Sequence, residues 1–400
     1  MNRPLIGLAR LARIAFAGQD LGPWKARLLE RISQDESDAN ALMDLSTVLQ
    51  LMGQRELGLS VQALALDIQQ LYCLQGSADG AGIRLLAFVS PGDLAENNIV
   101  EFLIEGSDIS LDMLYVSPGI PFPATLPDHD LAMVAVCETD RNRPLLQHLE
   151  TLLKSWPRPV VCAPDRIARL SRDGACGLLR STPGMVMPVT ARIGRRTLES
   201  IGRSEVAVTA LLPDAAFPII VRPVDSQKGH GLAKVDTPAA VLDYLETRPE
   251  DAFYVARYVE YRGPDGQFRK YRIVLIGTRP YVCHMAISDN WVVHYMSAGM
   301  VESASKRAEE ARFFAAFDDG FARRHHDVLL AIAQRTELEY VGIDCGETPD
   351  GELLLFEVDS GMTVHAMDPA DLFPYKQPQM RKVFRAFRQM LIDASVHHGD

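Results

Sequence analysis

The sequence predicts a mixed protein, α/β in its middle and α+β in its second half, with a helical segment in front. Three observations predict this. Residues 24–75 repeat apolar side chains at helical spacing, short apolar strands alternate with helical stretches from Ile83, and beyond residue 219 the strands come in pairs.

The chain has 400 residues, 47% of them hydrophobic and 23% charged, enough for two or three packed cores. A formal charge of -11 argues against a nucleic-acid partner, which needs a concentrated basic face. Small anions stay open, because local arginines override a net charge. No apolar run approaches the roughly 20 residues that span a bilayer. Arginines interrupt residues 1–20 where a signal peptide would be apolar, so no membrane partner and a cytoplasmic location are expected. Six scattered cysteines without a CxxC pair point to neither a disulfide framework nor a zinc site. Cys283 and His284 are neighbours, but adjacent strand residues face opposite ways, which argues against a thiol nucleophile there.

In the first segment, residues 1–80, Gly53 breaks the helical run into a hairpin. Its small residues Gly53, Gly58 and Ala65, set among Leu42, Leu45 and Leu49, resemble one tetratricopeptide repeat. A lone repeat cannot bury its own apolar face. It is expected to pack on the rest of the chain or to mediate homo-oligomer formation, with a peptide-binding surface as the other reading.

Residues 81–165 read as an open, mainly parallel α/β domain, with strands at 83–89, 111–116, 131–136 and 160–162 and a helix at 145–153. Its first turn, Ser90-Pro91-Gly92-Asp93, has no GxGxxG fingerprint, so no dinucleotide site is expected. The third segment, 166–400, opens with a helix at 165–180. Strands follow at 219–221, 231–235, 253–259, 271–276, 280–285 and 291–295, then a long polar helix at 303–335 and a hairpin at 340–359.

The hairpin is the most informative stretch. Val341, Ile343 and Cys345 alternate with Gly342 and Asp344, while Leu354, Phe356 and Val358 alternate with Leu355, Glu357 and Asp359. With Thr348-Pro349-Asp350-Gly351 as the turn, Glu347 faces Glu352 and Asp344 lies opposite Leu355, on one face with Glu357 and Asp359. Three carboxylates on one face suit a magnesium ion shared with phosphates, with manganese as a substitute; the other reading is a solvated acidic face. In residues 217–235, Arg222 ends a β run and Lys228, Gly229 and Gly231 sit in the loop after it. Such a loop lets backbone amides approach an anion while the arginine grips phosphate oxygens, although an ordinary exposed turn has the same composition.

In this order the two constellations resemble the ATP-grasp superfamily, especially its RimK-like and glutathione synthetase-like ligases, over roughly residues 83–395. The resemblance implies an ATP-grasp fold preceded by a Rossmann-like domain, with a nucleotide-flap lobe at about 166–255 and a metal-binding lobe at about 256–395. It implies ATP and magnesium as cofactors, and a small-molecule carboxylate with an amine or peptide acceptor as substrates. Arg172 and Arg222 stand at the family's two phosphate-binding lysines. Ala256 and Arg257 stand at its Q-E pair, followed by Tyr258 and Val259 as the adenine hinge. The D-x-R strand is matched by Lys270-Tyr271-Arg272: the arginine is kept and the acid lost, with Glu260 or Asp265 as substitutes at the ribose. Arg272 is expected to face the transferred phosphate, His294 loosely matches the next element, and Asp344, Glu357 and Asp359 match the metal ligands. The implied reaction forms an acylphosphate and then joins it to an amine. Phosphotransfer to a hydroxyl and a non-catalytic nucleotide-binding scaffold are the alternatives.

Overall fold

The computed structural model describes residues 3–76, 82–226 and 229–396. Two compact units divide the chain. One holds the residues up to 168, 338–341 and those from 359 onward; the other holds 169–337 and 342–358.

In the first unit, α1 (Leu8–Phe16), α2 (Gly22–Gln34), α3 (Ala39–Leu51) and α4 (Arg55–Ile68) share a core that includes Leu11, Leu28, Leu45, Val48 and Leu49. The repeat-like hairpin α3–α4 thus finds its apolar partners in the two helices before it. Gly58 sits where a Cβ would come within 2.7 Å of Gln50 Cγ and 3.0 Å of the Ser46 carbonyl, which is why the helices meet there. The helical run ends earlier than expected. Residues 71–74 form a strand instead of a last helical turn, because their backbone finds partners in the sheet.

That sheet contains β1 (Leu71–Leu74), β2 (Arg84–Val89), β3 (Ser110–Tyr115), β4 (Leu131–Val134) and β5 (Val160–Val161), in the order β1-β3-β2-β4-β5. All its neighbours are parallel except β1 and β3. Helices α5 (Val100–Ile104) and α6 (Arg143–Leu153) lie between its strands, and α7 (Pro164–Ile167) follows β5. The open parallel arrangement expected for this region is present. Strands β2 and β4 are buried almost throughout, as a parallel sheet covered on both faces requires.

The second unit begins with α8 (Arg172–Leu179), followed by β6 (Met185–Val186), β7 (Thr190–Gly194), α9 (Arg195–Gly202), β8 (Ile219–Pro223), β9 (Ala233–Val235), α10 (Pro238–Glu246) and β10 (Ala252–Arg257). An antiparallel sheet ordered β7-β10-β8-β9 packs its apolar face, with Val221, Val235, Phe253 and Val255, on Leu198, Ile201 and Val241 of the two helices. A second sheet follows, from β11 (Phe268–Ile276), β12 (Arg279–Ser288), β13 (Tyr340–Glu347) and β14 (Leu353–Asp359), ordered β12-β11-β13-β14-β6. Before the hairpin come α11 (Ala304–Ala316), α12 (Phe321–Arg324) and α13 (His326–Thr336); α14 (Lys376–Val396) returns to the first unit.

Three expectations are corrected here. The helix expected over 165–180 is broken at Ser171, whose side chain caps α8 by accepting from the Gly174 amide. The helix expected over 303–335 is three helices. The chain bends near Gly320 and gathers Phe313, Phe317 and Phe321 against Tyr271, burying rings that a straight helix would spread. Residues 291–295 do not form a strand: the Asn290 side chain takes the Val292 amide, and a 3-10 turn follows at Tyr295–Ser297. Among the described residues, no helix is long and apolar enough to cross a membrane.

Candidate active site

Strand alternation puts Lys270 and Arg272 on one face of β11, and β13 is its neighbour in the sheet. Their side chains close on Asp344. Lys270 Nζ donates to Oδ2 at 2.9 Å, Arg272 Nε to Oδ1 at 2.8 Å and Arg272 Nη2 to Oδ2 at 3.0 Å. Asp344 is only 3% exposed. Burial alone would raise its pKa, but the charges of Arg272 and Lys270 win and hold the carboxyl well below the usual range. The same pairing keeps the buried Arg272 guanidinium protonated.

A second ion pair lies on β14. Arg172, first residue of α8 and set in place by the Ser171 cap, donates Nη2 to Glu357 Oε1 at 2.5 Å and Nη1 to the Phe356 carbonyl at 3.2 Å. Arg222, on β8, feels both groups. Burial, with the Arg172 charge added, lowers its pKa to about 10, against the pull of Glu357. It stays charged at neutral pH and is steadied by Ser226, through Oγ at 3.2 Å and through the carbonyl. The Glu357 charge also reaches Arg272. Arg172, Arg222, Lys270 and Arg272 therefore surround two carboxylates, an excess of two positive charges in a half-buried setting.

Among the expected hinge residues, Ala256 and Arg257 end β10, and Arg257 Nε contacts Asp214 Oδ2 at 3.2 Å. The Tyr258 amide is not free for an adenine edge, since it donates to the Pro218 carbonyl at 3.0 Å as the sheet pairing continues past β10. Lys234 lies over the Tyr258 ring, 4.0 Å from its centroid, and Val259 is half-buried. Glu260 is exposed and accepts the Tyr261 and Arg262 amides. Asp265 is claimed by Arg269, whose hydrogen bonds hold its carboxyl down at about 2. Gly229 and Gly231 both take positive φ, 73° and 68°, and a Cβ on Gly231 would lie 2.6 Å from Pro223 Cδ. Lys228 lies outside the described residues.

His294 opens the 3-10 turn, its carbonyl accepting from the Ser297 amide. A histidine beside Asp344 that the sequence reading did not single out for this site is His284, the cross-strand partner of Arg272, with its ring 4.5 Å from that of Tyr295. Its place opposite the arginine of the K-Y-R strand was the available signal, and it needed the β11–β12 register.

The expected magnesium ligands do not form a set. The turn closes with the Thr348 amide on the Glu352 carbonyl at 2.9 Å, one residue off the expected Glu347–Glu352 pairing, and Glu347 turns to Arg324 and His325. Asp344 and Glu357 are each occupied by cations, and Asp359 accepts the Gly361 amide at 2.9 Å. Among the described residues no group of three or more His, Cys, Asp and Glu side chains is placed to hold a metal ion. This donor set does not fit a resident magnesium.

No family model matches the sequence, and no curated protein matches it. Solved structures similar to the chain include a RimK domain ATP-grasp protein from Sphaerobacter thermophilus, at 18% identity and TM-score 0.43, covering 77% of this chain and 99% of that one. A D-Ala:D-Ser ligase from Enterococcus faecalis is similar at 13% identity and TM-score 0.47, covering 79% and 100%. The D-alanine–D-alanine ligase from Bacillus anthracis is similar at 13% identity and TM-score 0.47, covering 80% and 100%.

Proposed function

We propose that the chain is an ATP-dependent ligase that activates a carboxylate and joins it to an amine. The supporting observation is the cluster of Arg172, Arg222, Lys270 and Arg272, whose charge exceeds that of Asp344 and Glu357 and calls for a polyanion. Arg172, Arg222 and Arg272 are also positions at which the sequence resembles ATP-grasp ligases, while Lys270 stands where that family has an acid.

In this reading ATP enters as its magnesium complex, the usual form of the substrate. Arg172 and Arg222 hold phosphate oxygens, and the glycines at 229 and 231 let the flap backbone come close to them. A substrate carboxylate oxygen attacks the γ-phosphorus, the bond to the β-bridging oxygen breaks, and ADP leaves. Arg272, fixed by its two bonds to Asp344, is preorganised beside the charge that develops on the transferred group. The amine then attacks the acyl carbon, phosphate leaves, and the amine loses its proton. Positioning and fixed charge carry such a reaction, and no separate nucleophilic side chain is required.

The test is an ADP-release screen over pooled carboxylates and amines, with mass spectrometry of the products and Arg222→Met as control. ADP release together with an amide product is expected. A phosphoester without amide would replace this reading with phosphotransfer. The second reading, a nucleotide-binding scaffold, is favoured by the engagement of Asp344 with two cations; bound nucleotide with no ADP in any pool would establish it.

A further inference from the structure

We propose that the Lys270 ammonium takes the place of a divalent cation at Asp344, so that this carboxylate is not a metal ligand and its counter-charge is built into the chain. The inference concerns Asp344 and its neighbours alone and does not require the ligase reading.

A magnesium or manganese ion needs oxygen lone pairs converging on one point and a net negative field there. Neither condition holds at Asp344. Oδ1 accepts from Arg272 Nε, and Oδ2 accepts from both Arg272 Nη2 and Lys270 Nζ, so both oxygens are taken by charged donors. Two positive charges face one negative charge. The nearby carboxylate of Glu357 cannot reverse the balance, since Arg172 holds it at 2.5 Å. Little water screens the arrangement: the side chains of Asp344, Lys270 and Arg272 are 4%, 16% and 20% exposed.

The backbone makes the arrangement unavoidable. Residues 270 and 272 leave the same face of β11, so whatever occupies 270 meets Asp344 together with Arg272. An acid at 270, as in the D-x-R strand that this segment resembles, would set two carboxylates around one guanidinium and invite a cation. Lysine supplies the cation covalently. A compact ammonium on a flexible stem can reach an oxygen that the planar guanidinium leaves exposed, which suits it to the role.

The experiment titrates Mn2+ into the full-length protein without nucleotide and reads the free hexaaqua ion by electron paramagnetic resonance, comparing wild type with Lys270→Asp and with Lys270→Asp combined with Asp344→Asn. Wild type is expected to leave the free-ion signal unchanged. Lys270→Asp is expected to bind Mn2+ at least roughly tenfold more tightly, since carboxylate count sets affinity for such ions. Adding Asp344→Asn is expected to remove that gain. If Lys270→Asp does not fold, Lys270→Glu, which supplies the second carboxylate on a longer stem, is read in the same way. Mn2+ binding by wild type that Asp344→Asn abolishes would overturn the inference, as would a folded Lys270 variant with no gain. Because nucleotide is absent, failure of the ligase reading in the ADP screen leaves these outcomes intact.

Discussion

Arg222 shows how much of this site rests on single charges. It sits beside another arginine in a setting that disfavours charge, yet its pKa of about 10 leaves it protonated at physiological pH. An anion is the natural relief for such a group. Replacing it by methionine keeps the length of the side chain and removes the charge-assisted hydrogen bonds, which contribute about 1.5–3 kcal/mol each. Arg222→Met is therefore expected to weaken binding of a fluorescent ATP analogue by roughly 10- to 100-fold, with Arg222→Lys between it and wild type. Unchanged affinity in the methionine variant would remove Arg222 from the proposed phosphate site. Arg222, Asp344 and Glu357 could be picked out from the sequence, because strand ends and face alternation are local properties, and Arg172 and Arg272 through the resemblance to ATP-grasp ligases. Their pairing could not. Lys270 meets Asp344 only because β11 lies beside β13, and the place of His284 opposite Arg272 depends on a cross-strand register.

Elements were legible where periodicity was strong, as in β2, β4, α3 and α4, and failed where one local contact outweighed the pattern. Ser171 stops one helix by taking an amide, and the aromatic cluster at Phe313, Phe317 and Phe321 folds another back on itself. The N-terminal helix carries a testable case of an element held by a distant group. The amide of Ala9, in the first turn of α1, donates to Glu101 Oε2 at 2.9 Å, and Glu101 lies 92 residues along the chain on α5. Burial raises the Glu101 pKa to about 7, against that hydrogen bond and with help from nearby Asp44. The folded chain thus keeps a proton that the unfolded chain loses near pH 4.5. Stability from this group is complete below that pH and is lost as pH rises toward 7, by on the order of 3 kcal/mol. Denaturant unfolding of Glu101→Gln across pH 4 to 8 is expected to lack this decline while wild type shows it. Parallel curves for the two proteins would contradict the assignment.

For the whole molecule, ligand binding and folding are one equilibrium. A nucleotide that binds only the native state should stabilise it by about 2.7 kcal/mol at a concentration a hundredfold above its Kd. Thermal unfolding with an ATP analogue is expected to show a concentration-dependent rise in Tm, which Arg222→Met loses over the same range. A wild-type Tm that ignores nucleotide would count against the proposed function. The division into units follows no single cut in the chain, since β13 and β14 each carry it from one unit to the other. By itself the sequence determined the mixture of a parallel sheet with paired strands, the acidic and basic residues worth watching, and the order in which they come. Those follow from residue spacing, which sets the face a side chain takes, and, for Arg172 and Arg272, from the resemblance. Only the tertiary structure decided that Asp344 is held by Lys270 and Arg272, and Glu357 by Arg172, rather than gathered with Asp359 as a metal ligand set. Which charge neutralises which depends on distances between strands far apart in the chain, and spacing along a sequence contains no such distance.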